Sequence, residues 1–354
     1  MYPVTRHITY AEALREAQDY CLGAYSEVYL MGLGVPDPKG VFGSTLGLQD
    51  KYGSDRVFDI PLAENAMTGV ALGSAISGMR PILTHQRVDF ALSSIEQLVN
   101  QAAKWHYMFG GQMSAPMVIR MVIGRGWGQG PQHSQSLHSW FAHIPGLKVI
   151  LPTSPHDAKG MLISAIEDEN PVICLEHRWL YGVRDSVPKD DYRVPIGEAK
   201  VVRSGTDITI VGVSYMTLEC VRAAELLSNY GVHAEVIDLR SARPLDFSTI
   251  LESVARTGRV LTVDHAHGAC GIGSEISALA AGQLFSELQG APRTLSLPDH
   301  PTPTSSRLTS QYYSLPHQIA NACSEMVDNG TYFQFAGETT HALDQVNCTF
   351  HGPF

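Results

Sequence analysis

The chain has 354 residues, 44% of them hydrophobic and 17% charged, the balance of a well-packed globular protein of more than one domain. A formal net charge of −10 argues against a nucleic-acid partner, because binding nucleic acid needs a basic face that displaces counterions. No apolar run approaches the roughly 20 residues that span a bilayer, and "MYPVTRHITY" lacks the basic and apolar regions of a signal peptide, so the expectation is a cytoplasmic protein without a membrane segment.

In chain order, Thr9-x-x-Glu12 forms a capping box that opens a helix through "AEALREAQDYCLGAY". The apolar run "VYLMGLGV", ended by glycine and proline, reads as a buried parallel strand. The alternation continues with "VFDI" (strand), "NAMTGVALGSAISG" (helix), "PILT" (strand), "LSSIEQLVNQAAKWHYMF" (helix) and "PMVIRMVI" (strand). A glycine-rich loop, "IGRGWGQGPQHSQS", comes next, followed by "SQSLHSWFAHI" (helix), "LKVILP" (strand), "PHDAKGMLISAIED" (helix) and "PVICLE" (strand). Strands that alternate with helices predict right-handed crossovers and a parallel sheet covered on both faces.

Residues 183–205 read as a polar, proline-bearing linker between a first domain, 1–182, and a second, 206–330. The second repeats the alternation through "DITIVGVS", "TLECVRAAELLSNYG", "VHAEVIDL", "DFSTILESVART", "RVLTVDH", "GSEISALAAGQLF", "RTLSLP" and a helix near "LPHQIANACSEMV". The last stretch, 331–354, follows no periodic template and reads as a tail or a partner-contacting extension. The fold class is α/β, two parallel-sheet domains in tandem. Six cysteines without a C-x-x-C spacing read as buried thiols rather than a zinc site or a disulfide framework.

The glycine-rich loop fails the phosphate-binding templates. Glycine is missing three residues after the pairs Gly124-x-Gly126 and Gly126-x-Gly128, where Gln129 and Pro131 stand, and no lysine follows for a P-loop. No G-x-S-x-G elbow supports a serine hydrolase. His133, His138 and His143 recur every five residues and fan around a helix, instead of converging on a metal as i, i+4 pairs do. The loop nonetheless follows a strand, at the sheet edge where ligands bind. Either the backbone approaches a ligand there, or the loop is a crossover whose histidine caps a helix. Glu64 sits at a strand-to-helix junction and reads either as a first-turn acid favoured by the helix dipole or as a catalytic carboxylate. The small residues after it, Ala66, Gly69, Ala71, Gly73 and Ala75, predict close approach of another helix or subunit.

Together "DIPLAENAMTGVALGSAISGMRPI", "FALSSIEQLVNQAAKWHYMFGG", "QHSQSLHSWFAHIPGLKVILPTSPHDAKGMLISAIEDENPVICLEHRWLYG" and "AEVIDLRSARPLD" cover most of the chain. In order and spacing they resemble the beta subunit of the thiamine-diphosphate-dependent first component of 2-oxoacid dehydrogenase complexes, the pyruvate, branched-chain and acetoin group of the transketolase-like superfamily. The resemblance implies a pyrimidine-binding domain followed by a transketolase-type C-terminal domain. It places Glu64 opposite the cofactor aminopyrimidine, where a hydrogen bond to the ring nitrogen favours the imino tautomer that takes the thiazolium proton. Phe90 falls where the family stacks an aromatic ring on the pyrimidine, although core packing is its plain alternative. His133 falls on a histidine at the mouth of the cofactor site, expected to bind substrate and help transfer the acyl group to a lipoyl arm, whereas His138 and His143 read as structural.

"SAIEDENP" resembles the family's potassium loop, which implies Met117, Ala165, Asp168 and Asn170 as oxygen ligands; an ordinary helix C-terminal turn is the alternative. The family holds magnesium and the diphosphate with a GDG motif. None occurs here, so a separate alpha subunit is expected to supply that half, in a heterotetramer of two alpha and two beta subunits, with a lipoyl acyltransferase as a further partner and a 2-oxo acid as substrate. Two departures stand out. Leu33 occupies the place of the usual acid after the first strand, which puts coupling between active sites in doubt. Arg87 stands near Phe90, where it could bind a substrate carboxylate or phosphate, or simply pair with Asp89. Two other functions compete: the beta half of a split transketolase-like or carboligating enzyme, and a non-catalytic scaffold subunit.

Overall fold

A computed structural model describes residues 5–309, 311–327 and 334–336. They divide into two compact units. The first comprises the described residues up to Gly124 together with Trp140–Ile196; the second comprises Arg125–Ser139 and the described residues from Gly197 onward.

The first unit contains strands β1 (Thr5–Thr9), β2 (Val28–Gly32), β3 (Val57–Phe58), β4 (Arg80–His85), β5 (Val118–Ile123), β6 (Lys148–Ile150), β7 (Val172–His177) and β8 (Arg184–Pro188). Its helices are α1 (Tyr10–Ala24), α2 (Leu48–Tyr52), α3 (Glu64–Ile76), α4 (Val88–Ala91), α5 (Ala103–Met108), α6 (His138–Ala142), in which the chain returns from the second unit, and α7 (Pro155–Glu167). The main sheet runs β6-β7-β5-β4-β2-β3, all parallel, as the strand–helix alternation predicts. β2, β5 and β7 are buried at every position, which accounts for their largely apolar sequences, interrupted in β5 by Arg120 and in β7 by Glu176 and His177.

The capping box forms as read: the Glu12 N–H donates to Thr9 Oγ1 at 3.1 Å, and the Thr9 N–H donates to Glu12 at 2.6 Å. Two parts differ from expectation. The helix read over "LSSIEQLVNQAAKWHYMF" carries a π-helical stretch, Glu96–Ala102, before α5. The stretch read as a linker, 183–205, holds β8, which pairs antiparallel with β1, and β9 (Lys200–Arg203). Polar and proline-bearing composition hid both strands, since each is an edge strand with exposed positions.

The second unit continues with β10 (Ile208–Gly212), β11 (Ala234–Asp238), β12 (Ser241–Arg243), β13 (Val260–His267) and β14 (Arg293–Leu297). Its helices are α8 (Met216–Ser228), α9 (Phe247–Thr257), α10 (Ile272–Gln283), α11 (Ser306–Thr309) and α12 (Pro316–Val327). Its sheet runs β14-β13-β10-β11-β9, parallel except for β9, which lies antiparallel to β11. The chain order reverses beside β10, so the carboxyl ends of β10 and β13 form a switch point. Most of the expected tail lies outside the described residues. Phe335 is described: it exchanges backbone hydrogen bonds with the Asn321 side chain at 2.7 and 3.2 Å and meets Tyr230 edge-on at 5.0 Å. Among the described cysteines, Cys21, Cys174, Cys220 and Cys323 are buried, but Cys270 is exposed, contrary to the expectation of buried thiols. No helix among the described residues is long and apolar enough to cross a membrane.

Candidate functional site

Glu64 is the first residue of α3, as the strand-to-helix junction predicts. The residue before it, Ala63, offers no side-chain cap, so the first-turn carboxylate is the helix's own complement to its dipole. One face of α3 is buried through Thr68, Ala71, Leu72 and Ala75. The other is open: Ala66 and Val70 are exposed, a Cβ on Gly73 would meet nothing within 4 Å, and one on Gly69 would only touch Gln97. No neighbour among the described residues therefore requires these glycines. The half-buried Glu64 carboxylate makes no hydrogen bond or ion pair with any described residue, and it borders a cavity of about 490 Å³ lined also by Asn65, Gly69, Ser93 and Gln97.

Phe90 sits in the short helix α4, whose Val88 and Ala91 are buried while the Phe90 ring is 44% exposed. A large apolar side chain left open beside buried neighbours presents a surface on which a flat ring can stack. Arg87 precedes this turn and is 4% exposed. Its guanidinium lies 3.7 Å from Asp89 and donates to the Gly124 carbonyl. Gly124 has φ +73°, and a Cβ there would run into the His177 imidazole, so glycine is required. At the end of β4, burial pushes the His85 imidazole down to about 4; Thr68 Oγ1 is 3.4 Å from its Nε2.

His133 lies in the second unit, at the end of the short turn Pro131–His133, and is half-buried. His138 Nε2 is 2.8 Å from Asp264 Oδ2, both groups buried. That pair is what a structural role for His138 would require, and Asp264 and His265 are residues that sequence pattern alone did not single out. Burial lowers His265 to about 3. A smaller cavity of about 250 Å³ lies under the loop, against the ends of β13 and β14, with Ser134, Ser136, His267, Asp299 and His300 on its wall. Glu64, Phe90 and Arg87 thus share the first unit, while His133 is carried by the second.

The residues expected to bind potassium gather at one turn of the first unit. The Ala165 carbonyl accepts from the Asp168 N–H at 3.3 Å, the Asp168 carboxylate accepts from the Asn170 N–H at 2.9 Å, and the Met117 carbonyl accepts from the Val172 N–H at 3.0 Å. Two cations of the chain already attend this turn. Arg80 donates to the Ile166 and Asp168 carbonyls at 3.1 and 3.0 Å, and Lys148 pairs with the Asp168 carboxylate. Leu33, in place of the usual acid, offers only its carbonyl, which accepts from Gln86 at 2.8 Å.

This architecture defines a transketolase-type pair of α/β domains. Residues 6–184 match the transketolase pyrimidine-binding domain and residues 197–319 the transketolase C-terminal domain. The beta subunit of acetoin:2,6-dichlorophenolindophenol oxidoreductase from Cupriavidus necator is 45% identical over 83% of this chain and 86% of its own length. The mitochondrial pyruvate dehydrogenase E1 component subunit beta of Dictyostelium discoideum is 39% identical over 91% of this chain and 92% of its own. Among solved structures, a split-gene transketolase in an inactive beta4 tetramer superposes with a TM-score of 0.74 over 90% of this chain and 98% of its own, at 22% identity, a likeness of fold. The chain belongs to the family of beta subunits of thiamine-diphosphate-dependent 2-oxoacid dehydrogenases.

Proposed function

We propose that the chain is the beta half of an alpha–beta enzyme that decarboxylates a 2-oxo acid oxidatively, with Glu64, Phe90 and His133 as its contribution to catalysis. The observation that carries the reading is the Glu64 carboxylate: placed at a helix start, bordering a cavity and without a partner among the described residues, it is an acceptor available to a bound group. Thiamine diphosphate fits that description, and when bound it supplies the electron sink for decarboxylation. With the cofactor bound, Glu64 would accept a hydrogen bond from the protonated pyrimidine ring nitrogen, favouring the tautomer whose exocyclic nitrogen can take up a proton. Phe90 offers a flat apolar face to the same ring. His133, whose imidazole can donate a hydrogen bond, is assigned to the substrate carboxylate.

The reading assigns the diphosphate and magnesium to an alpha subunit, since the sequence contains no GDG motif. It gives that subunit the open face of α3 as its seat and assembles two of each chain. Arg87, anchored on Gly124 and beside Asp89, is assigned to holding the Phe90 turn before any substrate role. Potassium is assigned to the carbonyl oxygens at Met117 and Ala165 and to the Asp168–Asn170 turn, where it would compete with Lys148 and Arg80 for the same oxygens. A lipoyl acyltransferase is the expected acceptor component, in the cytoplasm.

A second reading rests on the 45%-identical relative, whose name specifies acetoin as the electron donor. The test is a reconstituted alpha–beta pair given pyruvate, a branched-chain 2-oxo acid or acetoin, with 2,6-dichlorophenolindophenol as acceptor, beside a ketose-plus-aldose assay. Dye reduction with a 2-oxo acid supports the proposal, and reduction with acetoin alone supports the second reading. Turnover confined to the sugar assay would overturn both.

A further inference from the structure

Four glycines in the seven residues from Gly124 to Gly130 predict a pliable segment, yet its hydrogen bonds describe a stiff one. Arg125 is 1% exposed. Its Nε donates to the Gln129 carbonyl at 2.7 Å and its Nη2 to the Thr304 carbonyl at 2.6 Å. Gln129 closes the ring from the other side: its side-chain oxygen accepts the Gly126 N–H at 3.0 Å, and its own N–H donates to the Gly126 carbonyl at 3.3 Å. The turn that follows ends with the His133 N–H donating to the Gly130 carbonyl at 3.1 Å. A Cβ on Gly130 would collide with the Thr304 hydroxyl, so Thr304 locates the loop twice, through Arg125 and through Gly130. Farther on, the buried His138–Asp264 pair fixes the loop's other end.

We propose that Arg125 is a positioning residue for His133. Its guanidinium fork joins the start of the loop to Gln129 and to Thr304, which places the turn Pro131–His133 and with it the imidazole. The planar fork reaches two carbonyls in fixed directions at once, whereas a lysine ammonium is a single point on a flexible stem. Glycine is needed in this loop to let the backbone close around the guanidinium, not to keep the segment mobile. The inference rests on the assignment of His133 to the substrate.

The test uses the reconstituted alpha–beta enzyme with Arg125→Ala, Arg125→Lys and His133→Ala. Misplacing a substrate-facing group by about 1 Å costs on the order of 100-fold in rate, so Arg125→Ala is expected to lower kcat by about that factor while KM changes less than about threefold. Added guanidinium ion should restore about tenfold of the loss in Arg125→Ala and nothing in His133→Ala, a rescue that a folding defect would not show. Should Arg125→Ala fail to assemble, Arg125→Lys keeps the charge and most of the volume and should still lose about tenfold in kcat. A readout independent of activity is chymotryptic cleavage after Trp127 in the assembled enzyme, expected to accelerate in both Arg125 variants. Wild-type kcat and wild-type cleavage in Arg125→Lys and Arg125→Ala would overturn the proposal. If His133→Ala keeps full activity, the assignment of His133 is lost instead. The cleavage rate then decides alone: acceleration supports the clamp and an unchanged rate overturns it.

Discussion

Two glutamates of the first unit show what a satisfied acid and an unsatisfied one look like in the same fold. Glu176, on β7, is 1% exposed and takes a two-pronged ion pair from Arg120, at 2.6 and 2.9 Å, as well as the Tyr181 hydroxyl. Arg120 spends its remaining donors on Gln18 at 2.8 Å and Ser44 at 2.9 Å. Every strong acceptor and donor in that cluster is accounted for, as burial demands. Glu64 has none of this: it stands at a helix start, half-buried, with an open cavity and no partner among the described residues. The first acid holds strands β5 and β7 and helix α1 together; the second is held available.

The sharpest way to break this contrast is to remove one side of the satisfied pair. Arg120→Met leaves the Glu176 charge buried and uncompensated, which costs about 3–5 kcal/mol of stability. Denaturant unfolding at pH 7.5 checks it, and a loss below about 1 kcal/mol would mean that the network is not what holds the sheet. Next in size is a pH effect from two buried histidines, His85 and His265. Burial holds His85 at about 4 and His265 at about 3. An unfolded histidine takes up its proton near pH 6.5, so the unfolded chain binds more protons below that pH and stability falls as pH drops. The stability is fully present above about pH 6.5, and each histidine withdraws about 2 kcal/mol by pH 5, at roughly 1.4 kcal/mol per pH unit. Unfolding curves at pH 7.5 and pH 5 should differ by about 4 kcal/mol, and His85→Gln should halve the difference. A stability that stays flat over this interval contradicts the burial of both rings.

The contrast also explains how much was legible in the sequence. The parallel strands were readable because β2, β5 and β7 are buried on both faces and so are mostly apolar, apart from the Arg120–Glu176 pair and His177. β8 and β9 were not, since edge strands with solvent-facing positions carry the polar residues of a linker. Glu64 was legible as a first-turn acid from its place after a strand, but its availability was not, because the absence of a partner is a property of three-dimensional neighbours. Asp264 lies 126 positions from His138, and no local pattern announces a contact at that separation. The loop's glycines suggest pliability because glycine permits it; Arg125, within the loop, and Thr304, from a distant part of the sequence, remove it.

On the unsatisfied side, Glu64→Gln is expected to lower the activity of the reconstituted pair by at least about 100-fold, the usual worth of a positioned acid–base group. Its stability should shift by less than about 1 kcal/mol, because only a helix-dipole interaction is lost. Full activity in that variant would make the chain a scaffold and return Glu64 to a capping role.

The smallest effect belongs to Phe90, and it separates stacking from packing. A ring that is 44% exposed on a turn whose other apolar side chains are buried contributes little to the chain's own core. Phe90→Ala should therefore leave the unfolding midpoint almost unchanged. In the assembled enzyme the same truncation removes a stacking partner worth about 0.5–1.5 kcal/mol beyond the area it buries, so cofactor affinity should fall about tenfold. Phe90→Tyr keeps the flat face and should bind the cofactor like the wild type. Titration of the apo pair with thiamine diphosphate measures all three. If Phe90→Ala instead loses about 3 kcal/mol of stability, the ring is core after all, and its assignment to the cofactor is lost.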